Sequence, residues 1–505
     1  MKFNSTTKGK NQVANYENAP AYKLSPQWDL YVSVVTSSLS NKFYETTADR
    51  LEKIRHLIKI NDPQFIARLA IYTREKMNLR SIPLVLAVEL AKIYSGDALI
   101  CNLTTRIVQR ADEITELLAF YQLANDRKET KKLNRLSKQI QVGMQNAFNK
   151  FDEYQFAKYN RDTEIKFRDA LFLVHPKAKS EEQQLIFNKI VENNLQTPYT
   201  WETELSALGQ TLFEDNNAKK EAFKHKWEEL IDSGKVGYMA LLRNLRNILE
   251  ADVSMQHINT ICETLSNREK VLKSKQLPFR FLSAYRELSK VNSGHTVRVM
   301  TALEDAAKVS AQNINGFPEF EKVLVACDIS GSMQTPISQK SKIMNFDIGL
   351  MLGMLLKSRC QNVVSGIFGD LWKIVNLPQS GVLSNVDAFY KRTGEVGYST
   401  NGYLVIEDLI NRKIEMDKIM IFTDCQLWDS SGNDIRFTDV WKKYKKISPN
   451  TKLYLFDLAG YGHVPVDITN DDVYLIAGWS DKIFDILQAI EKGSDALKEM
   501  ASIEI

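Results

Sequence analysis

The pattern of apolar residues changes abruptly at Gly316-Phe317-Pro318, and this change constrains the fold more than any other feature of the sequence. Before it, apolar residues recur every three or four positions, as they do in amphipathic helices. After it, short continuous apolar runs alternate with helical segments, as in a parallel sheet covered by helices. Since single domains usually hold roughly 100–200 residues, a chain of 505 residues also needs more than one core. The sequence therefore predicts a multidomain α + α/β protein.

The residues before the change are predicted to form a polar N-terminal arm (1–20) and an all-helical domain (21–317). Helices are predicted at 50–60, 63–76, 82–94, 133–148 and 223–232. Short breaks rich in Asn, Asp, Ser, Gly and Pro separate them. Many short antiparallel helix pairs in succession favour a solenoid over a single bundle.

Composition and cysteine usage indicate a cytoplasmic protein with no membrane segment. The strongly apolar stretch at 348–356 is too short to cross a bilayer, which takes about 20 residues. The polar arm lacks the apolar segment of a secretory signal. The five cysteines are odd in number and lack metal-ligand spacing, so we expect reduced thiols.

The residues from 318 to 505 are predicted to form a doubly wound α/β domain. Apolar runs predict strands at 322–327, 363–368, 418–422, 452–456 and 472–476, and a long helix at 341–357. In sheets of this kind ligands bind beyond the carboxyl ends of the strands. The polar residues that follow these strands are therefore the candidates for a site.

Three segments with oxygen-bearing side chains follow these strands or lie in a loop between them. They contribute Asp328, Ser330 and Ser332 in a D-x-S-x-S pattern, then Thr400 between two glycines, then Asp424. Hard oxygen donors with few formal charges suit Mg2+, or another hard divalent cation, better than Zn2+, which prefers Cys and His. We therefore predict that these five residues hold one divalent cation.

Alternatives to this ligand set stay open. Ser399 competes with Thr400 for one position, and Asp429 competes with Asp424 for another. A single D-x-S pattern also commonly marks an ordinary capped turn. The presence of three such segments in order favours the metal site over the turn.

These ligand segments resemble the metal-ion-dependent adhesion site of von Willebrand factor A domains, in which one coordination position stays open for an acidic group of a partner. The helical part contains the segments Phe148-Asn-Lys150, Ala157-Lys-Tyr159, Phe167 to Lys177, Met239 to Leu245 and Leu277-Pro-Phe279. With these segments, a helical domain followed by such a module resembles the TROVE family, named for telomerase, Ro and vault proteins, and within it the Ro autoantigen and its bacterial relatives.

The resemblance implies a monomeric ring of HEAT-type helical repeats closed by the A domain. It implies that a basic central hole takes single-stranded 3′ ends of misfolded noncoding RNA and that the outer surface binds Y-RNA-like molecules. It also implies a role in RNA quality control, with a nuclease as a candidate partner of the metal site.

The resemblance places the outer RNA surface at Lys158 and His175. An Arg of the family pattern is replaced by Asp162, with Arg161 beside it. The residues alone show a basic run with aromatic residues interleaved, which suits phosphate contacts and base stacking. This run comprises Lys158, Tyr159, Arg161, Lys166, Phe167, Arg168, His175 and Lys177. The alternative is a solvated helix face with Tyr159 and Phe167 in the core.

Three further arginines are candidates for the lining of the hole: Arg243, Arg246 and Arg280. Structural ion pairs are the alternative for them. Up to Pro318 the chain has 46 Lys and Arg against 37 Asp and Glu, whereas from Glu319 onward it has 20 against 25. The basic excess of the helical part agrees with a polyanionic partner.

Two classes of function follow. The first is a non-catalytic RNA-binding ring, and the alternative is a metal-dependent adaptor that binds a partner's carboxylate. An enzyme is not expected, because the sequence has too few clustered carboxylates for two-metal chemistry, no Walker A motif and no Ser/His/Asp elbow.

Overall fold

The computed structural model describes residues 12–37, 46–125, 136–160, 163–274, 276, 278–311, 320–337, 341–378, 380–433, 435–468, 472–478, 487 and 496–505. The chain divides into two compact units. The first unit comprises Met1–Lys53 and Trp227–Ala496, and the second comprises Ile54–Lys226 and Leu497–Ile505. The predicted domain boundary at Pro318 lies outside the described residues, and the domain limits stay a prediction.

Helices make up most of the described chain before residue 312. They are α1 (Pro26–Val35), α2 (Thr47–Ile60), α3 (Pro63–Glu75), α4 (Ser81–Ile93), α5 (Leu99–Ile107), α6 (Asp112–Ala124), α7 (Lys138–Phe148), α8 (Glu153–Tyr159), α9 (Phe167–Val174), α10 (Glu181–Glu192), α11 (Trp201–Gly209), α12 (Asn216–Asp232), α13 (Tyr238–Glu250), α14 (Met255–Ser266), α15 (Arg268–Ser274), α16 (Pro278–Leu288) and α17 (Thr296–Ala311). Among the described residues, every helix is too short or too polar to span a bilayer.

Local sequence signals set these helices. Asp62 caps α3 by accepting a hydrogen bond from the Phe65 N–H, with Pro63 in the first turn, because proline needs no donor there and a capping carboxylate satisfies a free N–H. The helices of the second unit bury an apolar face and an ion pair between Arg74 and Glu113, whose atoms are 2.8 Å apart. The prediction of successive helices is confirmed.

The remaining elements form the α/β part of the first unit. The helices are α18 (Asn345–Arg359), α19 (Leu383–Tyr390), α20 (Tyr403–Arg412), α21 (Phe437–Ile447) and α22 (Ala496–Ala501), the last of which lies mostly in the second unit. The strands among the described residues are β1 (Gln12–Ala14), β2 (Pro20–Lys23), β3 (Lys322–Asp328), β4 (Asn362–Phe368), β5 (Trp372–Ile374), β6 (Lys418–Thr423), β7 (Lys452–Asp457), β8 (His463–Val464) and β9 (Val473–Ala477).

The main sheet has the strand order β5-β4-β3-β6-β7-β9, and all neighbours are parallel except β4 and β5. The chain moves from β3 to one side of the sheet and later returns to β6 on the other side, so a switch point lies between β3 and β6. Helix α18 packs closely on these strands: a Cβ at Gly353 would lie 2.8 Å from a methyl carbon of Val325. The predicted doubly wound sheet is confirmed, and ligands in such sheets bind at the switch point.

A second, three-stranded sheet of order β1-β2-β8 was not predicted. It uses part of the N-terminal arm, where β1 and β2 pair antiparallel and β2 pairs with β8. The described residues of the predicted polar arm thus form part of a sheet with the α/β part of the first unit.

Candidate functional site

A buried polar cluster lies at the switch point, at the carboxyl ends of β3 and β6. Asp328 ends β3, and its Oδ1 accepts a hydrogen bond of 2.9 Å from the Ser330 N–H. The hydroxyl oxygens of Ser330 and Ser332 are 3.2 Å apart. From β6, the Thr423 hydroxyl donates to Asp328 Oδ2 at 2.6 Å. The cluster joins the two strand ends as the sequence predicts.

Backbone hydrogen bonds hold the D-x-S-x-S loop against its neighbours. The Gly331 N–H donates to the Tyr398 carbonyl at 3.0 Å, and the Ile329 N–H donates to the Phe368 carbonyl at 3.2 Å. The loop is therefore tied to the segment that carries Thr400.

Thr400 and Asp424 are linked through Gln426. The Thr400 hydroxyl donates to the Gln426 carbonyl at 3.0 Å, and the Gln426 N–H donates to Asp424 Oδ1 at 3.1 Å. Thr400 is buried, whereas its rival Ser399 is half-buried, with its N–H on Asp370. This geometry favours Thr400 over Ser399 as the ligand.

Asp429 is a weaker candidate ligand than Asp424, because its carboxylate already accepts hydrogen bonds, most of them from its own loop. Both of its oxygens accept hydrogen bonds, from the Tyr403 hydroxyl and Ser431 on one side and from the Asn433 and Ile435 N–H groups on the other. Partial burial opposes ionisation, but these bonds prevail and lower the pKa of Asp429 to about 2.

Two buried carboxyl groups carry the negative charge of the cluster. Burial raises the pKa of Asp328 above its usual range, against hydrogen bonds from Thr423 and Ser330 that lower it. Burial and then the neighbouring charge of Asp328 raise the pKa of Asp424, against the Ser332 hydroxyl and the Gln426 N–H, which lower it. Asp424 Oδ2 is buried and receives no hydrogen bond from a described residue. A cation beside this oxygen would satisfy it and relieve the repulsion between the carboxylates.

The donor set fits a hard cation. Among the described residues, no group of three or more His, Cys, Asp or Glu side chains is placed to hold a metal. The oxygen donors of this cluster are instead two carboxyl groups and the hydroxyls beside them. Mg2+ accepts such oxygen ligands together with water, whereas a structural Zn2+ site would need Cys or His.

Three of the residues predicted for the outer RNA surface are exposed on the second unit. Lys158 is at the end of α8, and His175 and Lys177 follow α9; all three are exposed. His175 has a left-handed backbone, with φ at 52°, and ends the helix. The predicted residue Arg161 lies outside the described residues, as does Asp162.

The two aromatic residues of this basic run differ in environment. Phe167 is buried, with its ring edge-on to Phe156 at 5.2 Å. Tyr159 is half-buried, and the Arg110 guanidinium lies 4.4 Å from its ring centre. Phe167 is therefore a core residue, and the basic run keeps one partly accessible ring.

The three arginines predicted to line a hole converge on one cleft of the first unit. The cleft has a volume of about 530 Å3 and lies between α13 and α16. It is lined by Met239, Leu242, Arg243, Leu245, Arg246, Asn247, Arg280, Ser283, Ala284 and Glu287. Sequence reasoning missed Glu287, because its role depends on how the two helices pair.

The arginines of the cleft differ in pairing. Arg246 forms an ion pair with Glu287 at 3.1 Å and a longer one with Glu250 at 3.8 Å. Arg243 and Arg280 have no acidic partner among the described residues. Burial lowers the pKa of the Arg280 guanidinium, and the positive charge of Arg243 lowers it further. Two like charges close together, in a cleft whose carboxylate Glu287 already pairs with Arg246, suit an anion.

Comparison with known proteins gives a consistent result. The crystal structure of the Deinococcus radiodurans Ro (RSR) protein superposes with a TM-score of 0.61 at 15% identity, covering 93% of this chain and all of that one. The rat telomerase protein component 1 is 25% identical over 345 residues, and the mouse protein is 26% identical over 326 residues. These matches cover 52% and 49% of this chain but only 13% and 12% of the two relatives.

The similarity to the Ro structure shows a shared fold of helical repeats and an α/β part. The family model of the TROVE domain matches residues 30–204 and 193–315, which is more than half of the chain. The chain therefore belongs to the TROVE domain family.

Proposed function

We propose that this protein binds RNA without catalysing a reaction on it, and that a single-stranded part of the RNA enters the cleft between α13 and α16. The observation that carries this proposal is the pair Arg243 and Arg280, which face the cleft without an acidic partner among the described residues. Membership of the TROVE family supports it. The names of the rat and mouse relatives, as components of telomerase, agree with a ribonucleoprotein.

The chemistry of the cleft suits a nucleotide better than a duplex. Its volume of about 530 Å3 lies within the range of pockets for small molecules, roughly 300–1,000 Å3. One guanidinium group can donate hydrogen bonds to two phosphate oxygens at once, and it can also stack on a base. Leu242 and Met239 supply an apolar wall beside the arginines, so base and phosphate each find a matching surface.

A second RNA surface is proposed on the other unit, around Lys158, His175 and Lys177. All three side chains are exposed. The two lysines can bind phosphates without selecting a sequence, and the His175 ring can donate a hydrogen bond to a phosphate oxygen. We propose that this surface takes a structured, Y-RNA-like molecule and that the cleft takes a 3′ end. Together they would serve RNA quality control.

The test is a binding titration of a hairpin RNA with a single-stranded 3′ tail against the same hairpin without the tail. The variant Arg243→Gln/Arg280→Gln is expected to lose about tenfold or more in affinity for the tailed RNA. Lys273→Gln is the control, since Lys273 is exposed on α15, is paired with Glu269 and does not line the cleft. Equal affinity for both RNAs, or an equal loss in the control, would contradict the proposal.

We further propose that Asp328, Ser330, Ser332, Thr400 and Asp424 hold one Mg2+, as in a von Willebrand factor A domain. The buried Oδ2 of Asp424, with no hydrogen bond from a described residue, supports this. The bound ion would keep one coordination position open for an acidic group of a protein partner. This is the second candidate function, an adaptor, and it is compatible with RNA binding.

Thermal unfolding with increasing Mg2+ tests the metal site. Ligand binding to the folded state raises stability as the concentration exceeds the dissociation constant, so we expect the Tm to rise with Mg2+. In Asp328→Ala the rise should vanish, while in the control Asp387→Asn, which removes an acid on α19, it should persist. Mg2+-dependent RNA cleavage that disappears in Asp328→Ala would instead show an enzyme.

A further inference from the structure

The N-terminal residues Gln12–Lys23, which we call the N-terminal strap, contact the loop that carries Asp424. The strap is held on the α/β part by pairing of Tyr22 with Val464 and of Lys23 with His463. The Tyr16 ring packs edge-on against Tyr461, with ring centres 5.4 Å apart. A segment from the start of the chain is thus fixed beside the predicted metal site.

Gln426 connects the strap to two predicted ligands. Its side-chain Oε1 accepts a hydrogen bond of 2.9 Å from the Tyr16 N–H. Its own N–H donates to Asp424 Oδ1, and its carbonyl accepts from the Thr400 hydroxyl. Gln426 is completely buried, so water cannot replace these bonds.

Asn15 fixes the strap to the next residue of the same loop. Its Nδ2 donates to the Leu427 carbonyl at 3.0 Å. Its Oδ1 accepts from the Glu17 and Ala19 N–H groups at 3.0 and 2.9 Å, which closes the turn of the strap. One buried side chain therefore shapes the strap and attaches it to the loop.

The loop needs such support because its backbone is strained at Cys425. This residue, between Asp424 and Gln426, has φ at 61°, a conformation that side chains other than glycine seldom adopt and that surrounding contacts must maintain. A ligand must also be held within about 0.5 Å of its productive position. Asp424 lies just beyond the end of β6, where the sheet no longer fixes it.

We propose that the N-terminal strap, acting through Asn15 and Gln426, positions Asp424 and Thr400 for the cation, so that the affinity for the metal depends on the strap. This inference rests on the proposed metal site. Residues of this kind, which orient the ligands rather than bind the ion, typically change metal affinity by about 10–100-fold when removed.

The test measures Mg2+ affinity of the full chain by calorimetric titration, together with the Tm in EDTA. Gln426→Met keeps the side-chain volume and removes its hydrogen bonds, and we expect affinity to fall about tenfold or more. Asn15→Ala should act in the same direction. The matched control is Asn385→Ala, since Asn385 is also a buried amide that donates to backbone carbonyls, those of Pro378 and Gly381.

Asn15→Asp separates the contact with the loop from the turn of the strap. The aspartate keeps the oxygen that accepts from Glu17 and Ala19 but loses the donor to Leu427. Its added negative charge would favour a nearby cation. A weaker affinity in this variant therefore assigns the effect to the lost contact and not to charge.

The outcomes are distinct. If the unmodified protein binds no Mg2+, the proposed metal site and the strap inference fall together. If it binds Mg2+ and the Asn15 and Gln426 variants keep its affinity, the strap inference alone is overturned. If the variants lose Tm as Asn385→Ala does and lose no affinity, the strap has only a structural role and the inference is wrong.

Discussion

At the residue scale, Asp424 and Asp429 show how environment decides the role of identical side chains. Asp424 is buried, and its Oδ2 has no hydrogen bond from a described residue. Asp429 accepts bonds on both oxygens from its own loop, and its pKa is lowered to about 2. In the proposed metal site Asp424 would bind the cation, whereas Asp429 holds the loop that follows it through these hydrogen bonds.

The hydrogen bonds to the Asp429 carboxylate predict that the stability of the fold depends on pH. Its pKa is lower in the folded protein than its ordinary value of 3.8, so its ionised form stabilises the fold above about pH 4, and this contribution is lost as the pH falls towards about 2. We expect Asp429→Asn to cost about 1–2 kcal/mol at pH 6, a figure reduced for partial exposure. The difference in Tm between the protein and the variant, measured from pH 6 to pH 3.5, should shrink. A difference that does not change with pH would mean that neutral hydrogen bonds, not charge, hold the loop.

The first predicted ligands could be recognised from the sequence alone, because the D-x-S-x-S pattern directly follows an apolar strand. Thr423, Gln426 and Asn15 were missed. The position of Thr423, at a strand end just before Asp424, could have indicated that its hydroxyl belongs to the polar cluster. No feature of the sequence could have indicated Asn15, because its contact with Leu427 spans most of the chain and depends on tertiary structure alone.

At the scale of elements, α16 and α18 of the first unit are joined by a bidentate ion pair. The two guanidinium nitrogens of Arg286 lie 2.8 and 2.6 Å from the two oxygens of Asp347, which is fully buried. Asp347 also accepts a hydrogen bond from the Met344 N–H at the start of α18. The pair fixes where α18 begins, and α18 lies on β3 and β6.

Breaking this pair should be costly, because it leaves a buried carboxylate without its counter-charge. We expect Arg286→Met to lower the free energy of unfolding by about 3 kcal/mol, measured by urea denaturation. The control Lys273→Met removes the pair with Glu269, in which both side chains are about three-quarters exposed, and should change stability little. The Arg286 guanidinium also lies 4.8 Å from the centre of the Tyr390 ring. The double variant Arg286→Met/Asp347→Leu should recover part of the loss, and no recovery would mean that Arg286 acts through its contact with Tyr390 instead.

Elements with long periodic or continuous apolar patterns were predicted from the sequence within a few residues. The strand predicted at 418–422 is β6, and the helix predicted at 341–357 is α18, which begins later, at Asn345. The short strands β1, β2, β5 and β8 were missed. Strands of two to four residues bury too little to show a pattern, and their pairing comes from partners distant in sequence.

At the scale of the whole molecule, the charge of the chain is unevenly distributed along the sequence. The excess of Lys and Arg lies before Pro318, and the later part is acidic. Within the first unit, however, the cleft arginines come from the earlier part of the chain and the buried carboxyl groups of Asp328 and Asp424 from the later part. If both proposals hold, RNA and a divalent cation bind the same compact unit through residues of opposite sign.

This arrangement predicts that the salt dependence of RNA affinity changes when the cleft is altered and stays the same when the proposed metal site is altered. For single-stranded RNA, log affinity falls with log salt by about 0.7 per neutralised phosphate, so Arg243→Gln/Arg280→Gln should reduce the slope by about 1.4 if each arginine contacts one phosphate. Asp328→Ala should leave both slope and affinity unchanged, since it removes no cation from the cleft. The measurement is binding of a 3′-tailed RNA from 50 to 300 mM salt, roughly the range over which such contacts weaken. A steeper or weaker slope in Asp328→Ala would show instead that the bound metal and the RNA cleft are energetically coupled, which α16 and its ion pair to α18 would then have to transmit.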